Sequence, residues 1–173
     1  MPIYILLTLA IILRFVPHLA NVAPIGAIAI FGGLYLPKKW AIILPLAAML
    51  ISDFFIGFYN WKIMLAVYLG FAVYGLIALA IRKRKNPLLI ASGTLLGSLC
   101  FFLLTNLAVW LFGTMYSHSL PGLFQCYVAA LPFFRNTLAG DLAFTTALVG
   151  AYELARYFKL NDFKIRKLSW KKI

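Results

Sequence analysis

The sequence predicts an all-α integral membrane protein, six transmembrane helices in one bundle with the N- and C-termini cytoplasmic. Three observations carry that prediction. Of 173 residues, 64% are hydrophobic and only 12% are charged, against about 45–50% and about 25% in soluble domains. A chain this size folded in water has no means of hiding so much apolar surface. Apolar runs recur six times along the chain. Finally, the cationic clusters Lys38-Lys39, Arg82-Lys83-Arg84-Lys85 and Arg156 to Lys172 follow the second, fourth and sixth runs. Lys and Arg are retained on the cytoplasmic side during insertion. The loops left outside, residues 16–24, 57–62 and 113–131, hold one Lys and no Arg.

The net charge of +12 is thus a topological and lipid-facing set, sited for contact with anionic membrane lipids. It does not point to nucleic acid. Cys100 and Cys126 give neither a disulfide framework nor metal spacing. The N-terminal run lacks a basic leader and a small-residue cleavage site, so it reads as a span of the mature protein.

The first segment runs from about Ile3 to Phe15 and stops at Pro17. The second runs from Pro24 or Ile25 to Leu36 and stops at Pro37. At ~1.5 Å per residue each covers about 18–20 Å, short of a ~30 Å hydrocarbon core. Short, Pro-bounded segments beside polar residues point to a binding site. The third segment runs from Trp40 to Gly57 with Pro45 one turn in, the fourth from Trp61 to Ile81, the fifth from Pro87 or Leu88 to Phe112. Residues 114–131 contain Pro121-Gly122, a turn signal, and predict a loop plus a short surface helix. The last span is expected from Pro132, a favourable first helical position, to about Phe158. Residues 1–158 form one transmembrane domain. Residues 159–173 form a basic cytoplasmic tail, amphipathic on the inner face or disordered. Small residues at Gly26, Ala29, Gly33, Gly70, Gly75, Ser92, Gly93 and Gly97 suit close helix packing.

A charge near the bilayer centre costs about 2.5–3.5 kcal/mol, so charges within the spans are functional candidates. Asp141 lies ~14 Å into the last span, near the midplane. Arg135 is one turn into that span, Asp53 one turn from the outer end of the third, and Arg14 at the outer end of the first. Glu153 is near the inner end and reaches water or Arg156 or Arg82. His18, Asn21, Ser52, Asn106, Trp110 and Asn136 accompany them in the outer half, with Tyr127 and Phe134 as aromatic surfaces. The fourth span contributes almost no polar groups. Burying opposite charges together lowers the cost of both, so Arg14 or Arg135 is expected to pair with Asp53 or Asp141. Such pairs either pin helices or hold a ligand. Trp61, Trp110, Tyr116 and Tyr127 each also read as interfacial anchors. No catalytic or metal-binding motif is present. The chain reads as a non-enzyme with no cofactor and no metal.

The stretch LRFVPHLANVAPIGAIAIFGGLYLPKKWAIILPLAAMLISDFFIG resembles the layout of substrate-binding S components of energy-coupling factor transporters. Closer is the resemblance to a related family of small, uncharacterised membrane proteins described as candidate transport proteins. It rests on RxxPHxxNxxPI (Arg14 to Ile25), Ser52-Asp53, the Asn106/Trp110 pair and GLxxCYxxALPFFxNTLxGDL (Gly122 to Leu142). It implies a six-helix fold with an outward-opening pocket under the first, third and fifth outer loops, binding a vitamin-like or cofactor-like solute. S components commonly dock an energy-coupling transmembrane subunit with its ATPases through Ala-x-x-x-Ala on the first helix. Here that helix reads IYILLTLAIIL with only Ala10, which leaves the partner in doubt.

The expectation is a membrane transport protein in the plasma or inner membrane. It takes a small-molecule substrate from outside through Arg14, His18, Asn21, Ser52, Asp53, Asn106, Trp110, Tyr127, Phe134, Arg135, Asn136 and Asp141, with the 114–131 loop as a lid. The alternative is a non-transporting assembly or accessory subunit whose buried polar cluster is structural. An intramembrane enzyme needs two acids facing one water.

Overall fold

A computed structural model describes residues 3–16 and 21–170, with side chains described through Lys159. Among the described residues the fold is all helical: α1 Ile3–Phe15, α2 Ile25–Tyr35, α3 Trp40–Ile56, α4 Trp61–Ile81, α5 Pro87–Phe112 and α6 Leu120–Trp170. Turn chemistry sets the joints. Gly57 closes α3 at φ 114°, a backbone region that favours glycine. Asn60 caps α4 by accepting from Lys62 N at 3.0 Å, and its amide donates to the Phe112 carbonyl at the end of α5. Asn86 caps α5 in the same way, ahead of Pro87.

The centre of the bundle is α2. Every residue from Ile25 to Leu34 is buried, as expected of a helix that is apolar on all sides. It touches all five other helices, α4 and α3 most closely. Its brevity now has a reason: at 11 residues it is about 16 Å long, and protein surrounds it. Small residues permit the contact. Gly33 lies against Ala78 and Gly75 of α4, and Gly75 lies against the Ala41 carbonyl of α3. Leu6 and Ala10 of α1 and Leu44, Ala48 and Met49 of α3 complete the core around Ile28 and Phe31.

The outside is apolar. Phe54 and Phe55 of α3, Leu65, Leu69 and Leu76 of α4, and Leu95, Leu96, Leu99 and Leu103 of α5 are exposed. Helices α4 and α5 are long and apolar enough to cross a bilayer. Helices α1, α2 and α3 are apolar but shorter.

The last helix departs from expectation. It starts at Leu120, passes through Pro132 and continues unbroken to Trp170, 51 residues in all. Residues 120–131 are therefore helix, and the predicted junction at residue 158 lies within it. Pro132 removes one N–H bond to the preceding turn without ending the helix, and such prolines are tolerated where neighbouring groups satisfy the freed carbonyl. At ~1.5 Å per residue α6 spans about 75 Å. The question of an amphipathic tail surface concerns side chains outside the described residues.

Gly75→Ala places a methyl group on the Ala41 carbonyl and is expected to destabilise by about 1–3 kcal/mol, the usual penalty of overpacking. Gly150→Ala meets nothing within 4 Å and should be neutral or slightly stabilising through helix propensity. Thermal unfolding of the two purified variants beside wild type checks the contrast.

Candidate functional site

A cavity of about 480 Å³ opens between α2, α4, α5 and α6, with Arg14 of α1 and Met49 of α3 at its side. That volume is typical of small-molecule pockets, which run from about 300 to 1,000 Å³. Its wall is largely aromatic: Phe71 and Tyr74 of α4, Phe101 and Phe102 of α5, Phe133 and Phe134 of α6, and Tyr59 from the α3–α4 loop. Phe102 and Phe134 face each other with ring centroids 4.6 Å apart. Polar groups are few: Arg14, Asn21, Thr105, Asn106, Thr137 and Asp141. Burial pushes the Tyr59 phenol up to about 12, with the Asp53 carboxylate adding to the effect and Arg14 opposing it. Tyr59 is therefore a neutral hydroxyl near pH 7.

Asp141 lies deep in the bundle, 3% exposed. The Tyr74 hydroxyl donates to its Oδ2. Ser98 Oγ lies 2.8 Å from the same oxygen and 3.0 Å from the Thr94 carbonyl. The other carboxylate oxygen rests on Gly26, where a Cβ would lie only 2.5 Å from Oδ1. Gly26 is in the first turn of α2, which has no side-chain cap. Backbone N–H groups and the helix dipole favour negative charge there. No Lys or Arg forms an ion pair with Asp141 among the described residues. Of the expected arginine–aspartate pairings, the one that forms is Arg14 with Asp53. Arg135 is exposed and does not line the cavity.

The second acid is differently placed. Arg14 Nη1 reaches Asp53 Oδ1 at 2.8 Å and also donates to Ser52 Oγ and, at 3.4 Å, to the Met49 carbonyl. Tyr68 Oη donates to Asp53 Oδ2 at 2.9 Å. Ser52 passes its own proton to the Ala48 or Met49 carbonyl. Asp53 is 1% exposed and borders the cavity only through Arg14. The pair locks α1 to α3, and Tyr68 adds α4.

Other expected residues divide. Asn21 lines the cavity in a left-handed conformation, φ 65°, which asparagine tolerates. Asn106 lines it, with its amide donating to the Phe102 carbonyl at 2.8 Å. Trp110 is turned away: its indole donates to the Ser117 carbonyl, fastening the α5–α6 loop. Tyr127 donates to the Leu103 carbonyl and packs on Phe102, outside the cavity lining. Asn136 is half-buried. His18 lies outside the described residues.

The sequence reading gives α4 almost no polar role, yet α4 supplies Tyr68 and Tyr74, one to each acid. The available signal was two tyrosines inside an apolar run, since a buried tyrosine hydroxyl requires a partner. Ser98 carried no such signal.

Arg14→Ala and Asp53→Ala should each destabilise by about 3 kcal/mol, because each strands a buried charge. The Arg14→Ala/Asp53→Ala double variant should lose much less than the sum. Denaturant unfolding of all three closes the cycle, and additive losses would refute the pairing as the main contribution.

A protein-family model described as a family of unknown function, DUF6580, matches residues 1–163. Neither the curated proteins nor the solved structures contain a match to it. Covering nearly the whole chain, the family match is decisive: this protein belongs to DUF6580, a family of unknown function.

Proposed function

We propose that this chain is a six-span membrane transport protein of the plasma or inner membrane, which binds a small polar or amphipathic solute from outside and moves it into the cell. One observation carries the reading: an aromatic-walled cavity of about 480 Å³ with a buried carboxylate that no cation among the described residues neutralises. A flat solute stacks between the aromatic rings, and a hydrogen-bonding or cationic group on it meets Asp141. Asn106, Thr105 and Asn21 give direction. Arg14 presents its accessible edge to an anionic group.

The membrane part of the reading is supported by two bilayer-length helices, the apolar outer surface and the one-sided placement of cations. The resemblance to S components of energy-coupling factor transporters supports the outward pocket. Ala10 is buried against the core, so α1 offers no outward small-residue face for a coupling subunit, which favours a carrier that acts alone. A purely structural accessory role requires a filled interior, which the cavity argues against. Asp53 and Asp141 have separate partners, which argues against an acid dyad.

Purified protein screened by thermal shift against vitamins, cofactors and their precursors tests the proposal. A true ligand at ~100-fold its dissociation constant stabilises by about 2.7 kcal/mol. Asp141→Asn should abolish that stabilisation, while exposed Arg135→Gln should preserve it. A ligand that stabilises wild type and Asp141→Asn equally would remove Asp141 from the site.

A further inference from the structure

A second cavity, about 320 Å³, lies at the other end of α2. Ile25 at the start of α2 lines the first cavity and Tyr35 at its end lines the second, about 15 Å apart along the helix. The second cavity sits between the beginning of α5 and the later turns of α6, with Lys85 and Glu153 at its mouth. Both belong to the region that the charge pattern assigns to the cytoplasmic side.

Its interior contains polar groups that the fold does not satisfy. Thr145 is 3% exposed, and its hydroxyl has no hydrogen-bond partner among the described residues. The Tyr35 hydroxyl is likewise shut from solvent, with no partner in strict hydrogen-bond geometry among the described residues. Glu153 is the nearest acceptor for that hydroxyl, a weak hydrogen bond outside strict geometry, and Lys85 Nζ sits 4.2 Å from the Tyr35 ring centre. A buried hydroxyl left without a partner is costly, so its presence on a cavity wall marks a place where a polar guest completes it.

The partition between the two cavities is thin. Tyr74 and Asp141 line the first. Thr145, one turn beyond Asp141 on α6, and Thr94, one turn before Ser98 on α5, line the second. Four residues of helix rise about 6 Å. Ser98 bridges the layer, within 2.8 Å of Asp141 and 3.0 Å of the Thr94 carbonyl.

We infer that the second cavity is a cytoplasm-facing site for the same solute, and that the Asp141–Tyr74–Ser98 layer is the gate between two chambers of one path through a single chain. The inference rests on the transport reading and deepens it. It limits the solute to what the smaller chamber holds, about the volume of ten water molecules. It also requires the solute to offer hydrogen-bonding groups to Thr145, Tyr35 and the Lys85/Glu153 mouth.

Cysteine labelling with a membrane-impermeant maleimide, read peptide by peptide so that Cys100 and Cys126 remain in place, tests it in membranes. Thr145→Cys and Ala91→Cys should label in inside-out vesicles and not in right-side-out spheroplasts. Thr105→Cys, in the first cavity, should do the reverse. Adding Tyr74→Ala, which opens the partition, should make Thr145→Cys reactive from outside too. If Thr145→Cys and Ala91→Cys are both inert from the cytoplasmic face while Thr105→Cys still labels from outside, the second site is disproved and the outward pocket stands. If Thr105→Cys fails to label from outside, the transport reading itself falls.

Discussion

The arrangement depends on burying Asp141 with no cation paired to it among the described residues. An isolated carboxylate in an apolar interior is among the most expensive groups a fold can hold. Here the expense is met by neutral donors and by backbone. Tyr74 and Ser98 donate to one oxygen, and the start of α2 faces the other across Gly26. Each support requires a small residue elsewhere. A Cβ on Gly26 would collide with the carboxylate, and a Cβ on Gly97 would collide with the Tyr74 ring. The two glycines bring α2, α4, α5 and α6 to a common point, and that point is the floor of the larger cavity.

A fully buried α2 explains the placement of both cavities. A helix wrapped on all sides has no lipid or water at its ends unless the surrounding helices diverge there. Helices α4, α5 and α6 pack on Ala29, Ile30 and Leu34 of α2 through Tyr74, Ala78, Ile90 and Val149. Near Ile25 and near Tyr35 they leave space. The short span that hydropathy alone finds anomalous is thus the axis around which space is organised, in keeping with the association of short helices with binding sites.

Much of the fold was legible because punctuation was local. Asn60, Asn86-Pro87 and Gly57 start or stop helices through bonds to residues two to four positions away, and α4 and α5 begin and end where the sequence predicts. Helix α6 was not legible for the same kind of reason. Pro121-Gly122 reads as a turn, but proline is also at home in a first helical turn. Ser119 caps that turn by accepting from Gly122 N at 3.3 Å. The acids and Arg14 were legible as charges in apolar runs. Their partners were not, because pairing depends on which faces of different helices meet. Arg135 shows the limit: six residues from Asp141 on one helix, it lies about 120° around the axis, on the exposed side.

The two buried acids illustrate opposite uses of the same chemistry. Asp53 is committed to Arg14, Tyr68 and the Ser52 corner. Separating that pair leaves two uncompensated charges, so a solute gains little by approaching it, and its work is to hold α1 and α3 together. Among the described residues Asp141 has only hydroxyls and a helix end, none of which is left charged if the carboxylate turns to a new partner. Ser98 has the Thr94 carbonyl as an alternative acceptor already in reach. In the proposed transport reading, a cationic or hydrogen-bonding solute exchanges with neutral donors rather than competing with a formal charge. The residue that can rebind at low cost is also the one on the partition between two chambers. The proposed exchange and the proposed passage thus fall on the same side chain.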